Sequence, residues 1–420
     1  MRELYPGNEG TLVRYLQLAL QRAGQDIQVD GVFGPKTCEA LEKMTGGTCV
    51  AADAQWEMLL PYLRGYVTHT VEEGDSLYQL AEKYDTTVEA IERANPGINA
   101  GNLNVGTIIV VPYAFPLVAE NVPYSSLLVS WIIEGLQARY PYVKTGKIGN
   151  SVMGTPISYL KLGNGATEVA YNASFHANES ITTPVLLKFA EQLLDAYAKE
   201  TTYGDVYPLH LFEEFSLYLV PLVNPDGVDL VNGILDTGRF YRQAVRISEA
   251  FPQIPFPDGW KANIDGTDLN LQFPAGWEEA KKIKYAQGYS RPAPRDFVGP
   301  TPLSAPESIA MYQFTRSRDF ALILAYHTQG EVIYWRFLDY NPAGSRKIAQ
   351  YFSSVSGYRV EETPLASGYA GYKDWFIQDY DRPGYTIEAG LGTNPLPMEQ
   401  FPKIYADNIG ILLGGMTQLE

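Results

Sequence analysis

From residue 115 onward, short apolar runs alternate along the chain with longer helical ones. The short runs are rich in β-branched and aromatic residues, as buried strands are, and cover residues 158–162, 169–175, 217–223, 320–326 and 385–388. The helical runs repeat their apolar residues at helical spacing and cover residues 125–138, 184–198 and 306–318. This alternation predicts an α/β fold, a mixed and mostly parallel sheet with helices on both faces.

The start of the last of these helices carries a capping signal. Ser304 precedes Pro306 and Glu307 in the order of a capping box with proline in the first turn. We predict that the helix begins there and that the Ser304 side chain caps it.

Two of the predicted strands end in histidine. His176 follows the run 169–175, and Glu179 comes shortly after it. His327 follows the run 320–326. Because open α/β sheets place their sites outside the carboxyl ends of their strands, these side chains can meet there. Two imidazoles and a carboxylate are ligands that zinc accepts, and they leave a fourth position for water. We predict that these three residues bind one zinc ion; the alternative is two core histidines bonded to backbone groups.

Glu388 is the fourth candidate residue. It interrupts the small and apolar residues of the stretch 383–390. Burying a carboxylate there costs free energy unless it has a partner or a chemical task. We predict that Glu388 is the catalytic carboxylate beside the zinc ion, and the alternative is a paired structural carboxylate.

Two smaller units precede this domain. Residues 11–24 have a helical pattern that ends at a glycine in the C-cap position, followed by the turn-rich stretch 29–37. Residues 66–112 run in the order strand, helix, helix, strand. We expect His69, in this second unit, to lie at the surface. Cys38 and Cys49 leave two alternatives, a disulfide or two reduced thiols.

Composition and charge exclude several classes of protein. With 420 residues, 45% of them hydrophobic and 19% charged, the chain has room for two or more folded domains. The net charge of −16 argues against nucleic acid and anionic membranes as partners. No apolar run approaches the length of a membrane span, and no apolar signal region follows Met1.

Both small units resemble wall-binding modules. Gln17 followed by Asp-Gly-Val-Phe-Gly-Pro-Lys-Thr at 30–37 resembles the peptidoglycan-binding domain, a helical module that we place at residues 1–50. Gly-Asp-Ser-Leu at 74–77, Ala-Asn-Pro at 94–96 and the closing Val-Val-Pro resemble a LysM domain at residues 66–112. The resemblance implies that the protein binds peptidoglycan and its muropeptides. The compartment stays open between the cytoplasm and the cell wall or spore.

The larger domain, residues 115–420, resembles the zinc carboxypeptidase family. The motifs that carry this resemblance are His-Ala-Asn-Glu at 176–179, Pro-Leu-Val-Asn-Pro-Asp-Gly at 221–227, Gly-Thr-Asp-Leu-Asn at 266–270, Tyr-His-Thr-Gln-Gly at 326–330 and Thr-Ile-Glu at 386–388. Within the family, the stretches 260–263, 270–274 and 371–375 are most similar to bacterial γ-D-glutamyl-diamino acid endopeptidases. The resemblance implies hydrolysis of the bond between D-glutamate and meso-diaminopimelate in stem peptides, with Glu388 moving the proton from water to the leaving amine.

The sequence also departs from the family pattern. After Asn270, which the resemblance makes substrate-binding, Leu271 replaces an arginine that binds a terminal carboxylate, which favours a cut within a branched peptide. We place Asp265 where the family has an arginine that stabilises the oxyanion, a task that a carboxylate cannot perform. Another cation must then substitute, with Arg239, Arg242 and Arg246 as candidates, or the enzyme is slow. For the mobile catalytic tyrosine of the family we choose Tyr369.

Two alternatives to a wall peptidase follow. Asp265 motivates a wall-binding protein whose peptidase domain is weakened or inactive. A related zinc amidohydrolase acting on a small acyl amino acid is the other, and the wall-binding modules disfavour it.

Overall fold

The computed structural model describes residues 1–47 and 49–419. They form two compact units, one made of residues 1–122 and 127–144 and the other of residues 123–126 and 145–420. No helix in the described ranges is long and apolar enough to cross a membrane. The domain bounds inferred from the sequence stay predictions.

The first unit begins with three helices. They are α1 (Thr11–Arg22), α2 (Pro35–Thr45) and α3 (Asp53–Arg64). Gln17 of α1 is buried, and its side-chain amide donates to Asp30 and Thr37 and accepts from the backbone N–H of Gly31. These bonds join α1 to the turn before α2, so the residues of the module's sequence signature stabilise its fold. Cys38 and Cys49 form a disulfide.

A strand, two helices and a second strand follow. They are β1 (Tyr66–Thr70), α4 (Leu77–Lys83), α5 (Val88–Ala94) and β2 (Ile108–Pro112), and β1 pairs antiparallel with β2. Asn95 ends α5, and its side chain bonds both backbone groups of Val110, which ties the helices to β2. The expectation of a surface His69 is wrong. Its ring is buried, with Nε2 2.7 Å from the Asp75 carboxylate and Nδ1 3.1 Å from the Tyr84 hydroxyl.

The helix α6 (Ser126–Arg139) leads into an eight-stranded sheet. Its strands, in chain order, are β3 (Lys144–Asn150), β4 (Pro156–Leu162), β5 (Thr167–Ala173), β6 (Phe215–Val220), β7 (Phe320–His327), β8 (Val332–Tyr334), β9 (Arg359–Glu361) and β10 (Gly384–Glu388). Their order across the sheet is β3-β4-β6-β5-β7-β10-β8-β9. The pairs β5–β6, β5–β7, β7–β10 and β8–β9 are parallel, whereas β4–β6 and β8–β10 are antiparallel. The predicted α/β fold with a mixed, mostly parallel sheet is confirmed.

Helices lie between the strands, and one more follows the last strand. They are α7 (Thr182–Ala198), α8 (Pro208–Glu214), α9 (Pro225–Val231), α10 (Gly238–Glu249), α11 (Trp277–Ala286), α12 (Pro306–Arg316), α13 (Ser345–Ser356), α14 (Tyr372–Tyr380) and α15 (Phe401–Thr417). Alternate residues of β7 face opposite sides of the sheet. Ile323 lies in the apolar cluster with Met311 of α12 and Trp375 of α14, whereas Leu324 faces Gly415 of α15. The central strand is therefore covered on both faces.

The capping box predicted before α12 is wrong. The helix begins at Pro306 with Ala305 as its N-cap, and no side chain caps it. The Ser304 hydroxyl donates instead to the side chain of Gln272. Glu307 is fully buried and accepts from the Val152 backbone N–H and from the Asn263 side chain. The Ser304 and Glu307 side chains therefore bond residues distant in sequence instead of capping the helix.

Burial of Glu307 makes the stability of this unit depend on pH. Burial, together with nearby Asp226, raises the pKa of Glu307 from 4.5 to about 7. The folded state therefore keeps a proton that the unfolded chain releases, and stability present below pH 4.5 is lost as the pH rises to about 7. The loss amounts to about 3 kcal/mol at most.

We therefore expect the urea midpoint of unfolding to fall between pH 5 and pH 8, and to fall less in Glu307→Gln. Asp229, whose pKa burial raises to about 6, contributes in the same direction. Comparing the variant with wild type isolates the contribution of Glu307. If the urea midpoint fell equally with pH in both proteins, Glu307 would not be a source of the pH dependence.

Candidate metal centre

Parallel pairing brings the ends of three strands to one edge of the sheet. Glu388, the last residue of β10, lies directly opposite His327, the last residue of β7. Ala173, the last residue of β5, lies opposite Tyr326 on the other side of β7. The sheet therefore delivers the three segments that carry the candidate residues to adjacent positions.

A sharp turn after β5 positions the remaining two candidates. Ser174 adopts a left-handed conformation with a φ of 54°, which is uncommon outside glycine. Its hydroxyl lies 2.8 Å from that of Thr183 and 3.1 Å from that of Thr182, and these bonds hold the turn against the start of α7. The chain then passes through His176 into a single helical turn that ends at Glu179.

His176, Glu179 and His327 converge closely. The two Nδ1 atoms lie 3.2 Å apart, and each lies 3.0 Å from an oxygen of the Glu179 carboxylate. Glu179 and His327 are each 1% exposed. One donor atom from each residue lies within 4.8 Å of the others, so the cluster could hold a metal ion.

The donor set fits zinc. Ligand atoms about 2.0–2.1 Å from a tetrahedral zinc ion lie about 3.3 Å from one another, close to the separations found here. The second nitrogen of each ring has its own neighbour, Asp268 Oδ1 at 3.2 Å from His176 Nε2 and Asn270 Nδ2 at 3.5 Å from His327 Nε2. Such outer partners fix the orientation of metal-binding imidazoles. Burial lowers the pKa of His176, but Glu179 and Asp268 outweigh it and raise the pKa to about 9, so the surroundings favour a positive charge.

The cluster opens into a cavity of about 910 Å³. Glu388 lines it, and burial together with the charge of Glu179 raises the pKa of Glu388 to about 8. Asn270 and Leu271, the predicted substrate-binding residues, line it as well. The Asn270 side-chain oxygen accepts a hydrogen bond from the Tyr372 backbone N–H at 2.9 Å, which attaches this wall to α14.

Tyr369 is not among the described residues that line the cavity. It packs against Leu271 and Trp277, and its ring meets Phe337 edge to face. Among the described residues that line the cavity, Ser367 and Gly371 flank it in sequence. Its catalytic role stays a prediction.

Asp265 and the three arginines considered as its substitutes lie outside the described cavity lining, whereas a lysine lies within it. Asp265 is exposed and accepts a hydrogen bond from Gln243, away from the cavity lining found in the described residues. Arg239, Arg242 and Arg246 are exposed on α10, also outside that lining. Lys261 lines the cavity instead, with Nζ 2.9 Å from Glu179 Oε1.

Sequence reasoning assigned no role to eight charged residues that line the cavity. They are Asp258, Lys261, Asp268, Lys284, Arg295, Asp296, Lys373 and Asp374. The signal for Lys261 was present, since the stretch 260–263 supported the family resemblance. Arg295 lies outside every motif, and nothing local distinguishes it from the other arginines.

A sheet of this order with a buried His-Glu-His cluster at the carboxyl ends of its strands defines a metallohydrolase of the carboxypeptidase fold. The family model "Zinc carboxypeptidase" matches residues 129–409, "LysM domain" matches residues 69–112 and "Predicted Peptidoglycan domain" matches residues 11–62. The chain belongs to the zinc carboxypeptidase family. The resemblances inferred from the motifs are confirmed.

Two relatives share most of the chain. Gamma-D-glutamyl-L-diamino acid endopeptidase 1 of Lysinibacillus sphaericus is 46% identical over 298 residues, covering 71% of this chain and 72% of that protein. The uncharacterized protein YqgT of Bacillus subtilis is 44% identical over 276 residues, covering 65% and 72%. Among solved structures, carboxypeptidase A of Helicoverpa armigera matches with a TM-score of 0.55 at 17% identity, covering 80% of each chain. That likeness shows the fold.

Proposed function

We propose that the protein is a zinc-dependent peptidase that hydrolyses the bond between γ-D-glutamate and meso-diaminopimelate in peptidoglycan stem peptides. The observation that carries the proposal is the convergence of His176, Glu179 and His327 in a cavity that Glu388 also lines. The name of the Lysinibacillus relative supports the choice of bond. The LysM and peptidoglycan modules support action at the cell wall, because binding there raises the local concentration of substrate.

Each residue has a task in the proposed reaction. Glu388 accepts a proton from the attacking water and delivers it to the leaving amine. The Lys261 ammonium stabilises the negative charge that develops on the scissile carbonyl oxygen. Asp268 holds the His176 ring through Nε2. When bound, zinc supplies a Lewis acid and a water of pKa near 7.

The sheet order defines two sides of the cavity. His176 and Glu179 follow β5, whereas Glu388 ends β10 on the other side of β7. Because Glu388 delivers its proton to the leaving amine, the diaminopimelate side of the substrate lies toward β10. The γ-D-glutamyl side lies toward β5.

A buried ion pair lines the cavity on the β10 side. Lys373 and Asp374 are each 3% exposed, with Nζ 2.5 Å from Oδ1. Lys373 Nζ also donates to the Arg336 carbonyl oxygen at 2.8 Å and the Thr363 hydroxyl at 3.3 Å. The far end of diaminopimelate carries one ammonium and one carboxylate, which match the two charges of the pair. This complementarity supports diaminopimelate as the leaving residue.

We expect stem peptides with L-lysine in place of meso-diaminopimelate to react at least 10²-fold less well in kcat/KM. L-lysine lacks the carboxylate at the far end of diaminopimelate, so it gives the Lys373 ammonium no carboxylate of the substrate to bind. Steady-state kinetics on the two peptides measure the ratio. Equal rates would show that the Lys373–Asp374 pair serves the fold alone.

The proposal is tested with L-alanyl-γ-D-glutamyl-meso-diaminopimelate, the zinc-loaded protein and a chelator-treated control. We expect mass spectrometry to show L-alanyl-D-glutamate and free diaminopimelate only with the loaded protein. Cleavage of the bond between L-alanine and D-glutamate would contradict the proposed specificity. Sedimentation of the full chain with purified peptidoglycan tests the wall association in parallel.

A second candidate function is a wall-binding protein whose peptidase domain is inactive. This candidate rests on Asp265, and Lys261 in the cavity supports the active peptidase instead, because it offers a cation where the family has an arginine. One bound zinc ion per chain without cleavage of any stem peptide would favour it.

A further inference from the structure

A cluster of three charged residues lines the β5 side of the cavity. Lys284 Nζ lies 2.5 Å from Asp296 Oδ1, and Arg295 Nε lies 2.6 Å from Asp296 Oδ2. All three line the cavity. Two cations share one carboxylate, so the cluster keeps one positive charge, and the tasks assigned above to the site use none of these residues.

Arg295 is the member with binding capacity left. Lys284 and Asp296 have side chains 10% and 13% exposed, whereas that of Arg295 is 40% exposed. Its Nε is used by Asp296, and none of the described residues accepts a hydrogen bond from its two terminal nitrogens. A guanidinium with this edge free can bind a carboxylate through two parallel hydrogen bonds.

Backbone contacts place this cluster beside His176. The Asp296 backbone N–H donates to Asp268 Oδ2, and Asp268 Oδ1 contacts His176 Nε2. The loop that carries Lys261 is attached to the same segment, because the N–H groups of Lys261 and Ala262 both donate to the Pro294 carbonyl oxygen. Arg295 therefore lies on the side where the acyl part of the substrate is expected.

We propose that Arg295 binds the free α-carboxylate of the D-glutamyl residue and thereby selects γ-linked substrates. This inference rests on the proposed function. In a γ-linked glutamyl group the side-chain carbonyl is the scissile one, so the α-carboxylate stays free on the acyl side. An ordinary α-linked peptide has no free main-chain carboxylate at this residue, because its α-carbonyl is the scissile group. The remaining positive charge of the cluster would therefore bind the α-carboxylate, a group that only the γ-linked substrate presents there.

Two substrates that differ in one group test the proposal. They are L-alanyl-γ-D-glutamyl-meso-diaminopimelate and its analogue with the glutamyl α-carboxylate converted to the carboxamide. We expect wild type to prefer the acid by about 10- to 100-fold in kcat/KM, mainly through KM. Arg295→Gln should lose the preference by becoming worse on the acid, with little change on the amide. Arg295→Lys keeps the positive charge but cannot form two parallel hydrogen bonds to a carboxylate. Its preference for the acid should therefore lie between those of wild type and Arg295→Gln.

Arg291→Gln is the matched control. Arg291 is an exposed arginine of the same loop that lies over the Phe251 ring and outside the described cavity lining. It should keep the wild-type preference. Calorimetric affinities of both peptides for the inactive Glu388→Gln chain, with and without Arg295→Gln, give a readout independent of turnover.

The outcomes separate the two proposals. If wild type cleaves both peptides equally well, or Arg295→Gln lowers kcat/KM on both by the same factor, the role of Arg295 is overturned and the proposed function stands. If wild type cleaves neither peptide, the proposed function itself falls.

Discussion

We expect Glu388→Gln to lower kcat about 10³-fold or more and to leave one zinc ion bound. Glutamine keeps the shape of the side chain but cannot accept the proton of water or pass it to the leaving amine, and general acid–base catalysis contributes about 10²- to 10⁴-fold. The ion stays because the three predicted ligands are untouched. Turnover of the stem tripeptide and zinc content by elemental analysis are measured on the same sample.

The matched control is Glu361→Gln, an exposed carboxylate on β9 that pairs with Arg359 at the surface. It should retain full activity. Near-normal hydrolysis by Glu388→Gln would exclude the proposed base, and loss of zinc from that variant would instead make Glu388 a ligand.

We expect Lys261→Met to lower kcat about 10²- to 10³-fold. Removing one preorganised group that stabilises an oxyanion has effects of this size. Lys261→Arg restores a cation at the same place and should recover part of the rate. Zinc content must be measured too, because the Lys261 ammonium also contacts Glu179.

Asp265→Asn tests whether the position of Asp265 or that of Lys261 corresponds to the oxyanion-stabilising arginine of the family. Its carboxylate faces Gln243 at the surface, so this variant should keep wild-type kcat. A large loss in Asp265→Asn together with an active Lys261→Met would reverse the correction made from the structure.

The four residues predicted at the centre of the site are those whose position a sequence pattern can determine. His176, His327 and Glu388 each stand where an apolar strand ends, and parallel pairing sends such ends to one edge. Polar groups in an apolar run are conspicuous because burying them without a partner costs free energy. Strand period and polarity therefore contain enough information to bring these side chains together.

The walls of the cavity depend on contacts between distant segments, which no local pattern contains. Lys261 reaches the site because its loop bonds Ala177 on one side and Pro294 on the other. Arg295 reaches it because its neighbour Asp296 bonds Asp268. The Ser304 cap failed for the same reason, since the side chain of Gln272 outcompetes the helix end for its hydroxyl. Long-range hydrogen bonds decided all three positions.

The pairing of Glu388 with His327 across adjacent strands has an evolutionary consequence. Successive residues of a strand point to opposite faces, so inserting or deleting a single residue within β10 would turn the carboxylate away from the His-Glu-His cluster. Such a descendant would retain every motif and remain inert. Homologues of this family should therefore be compared by strand register as well as by the presence of their signature residues.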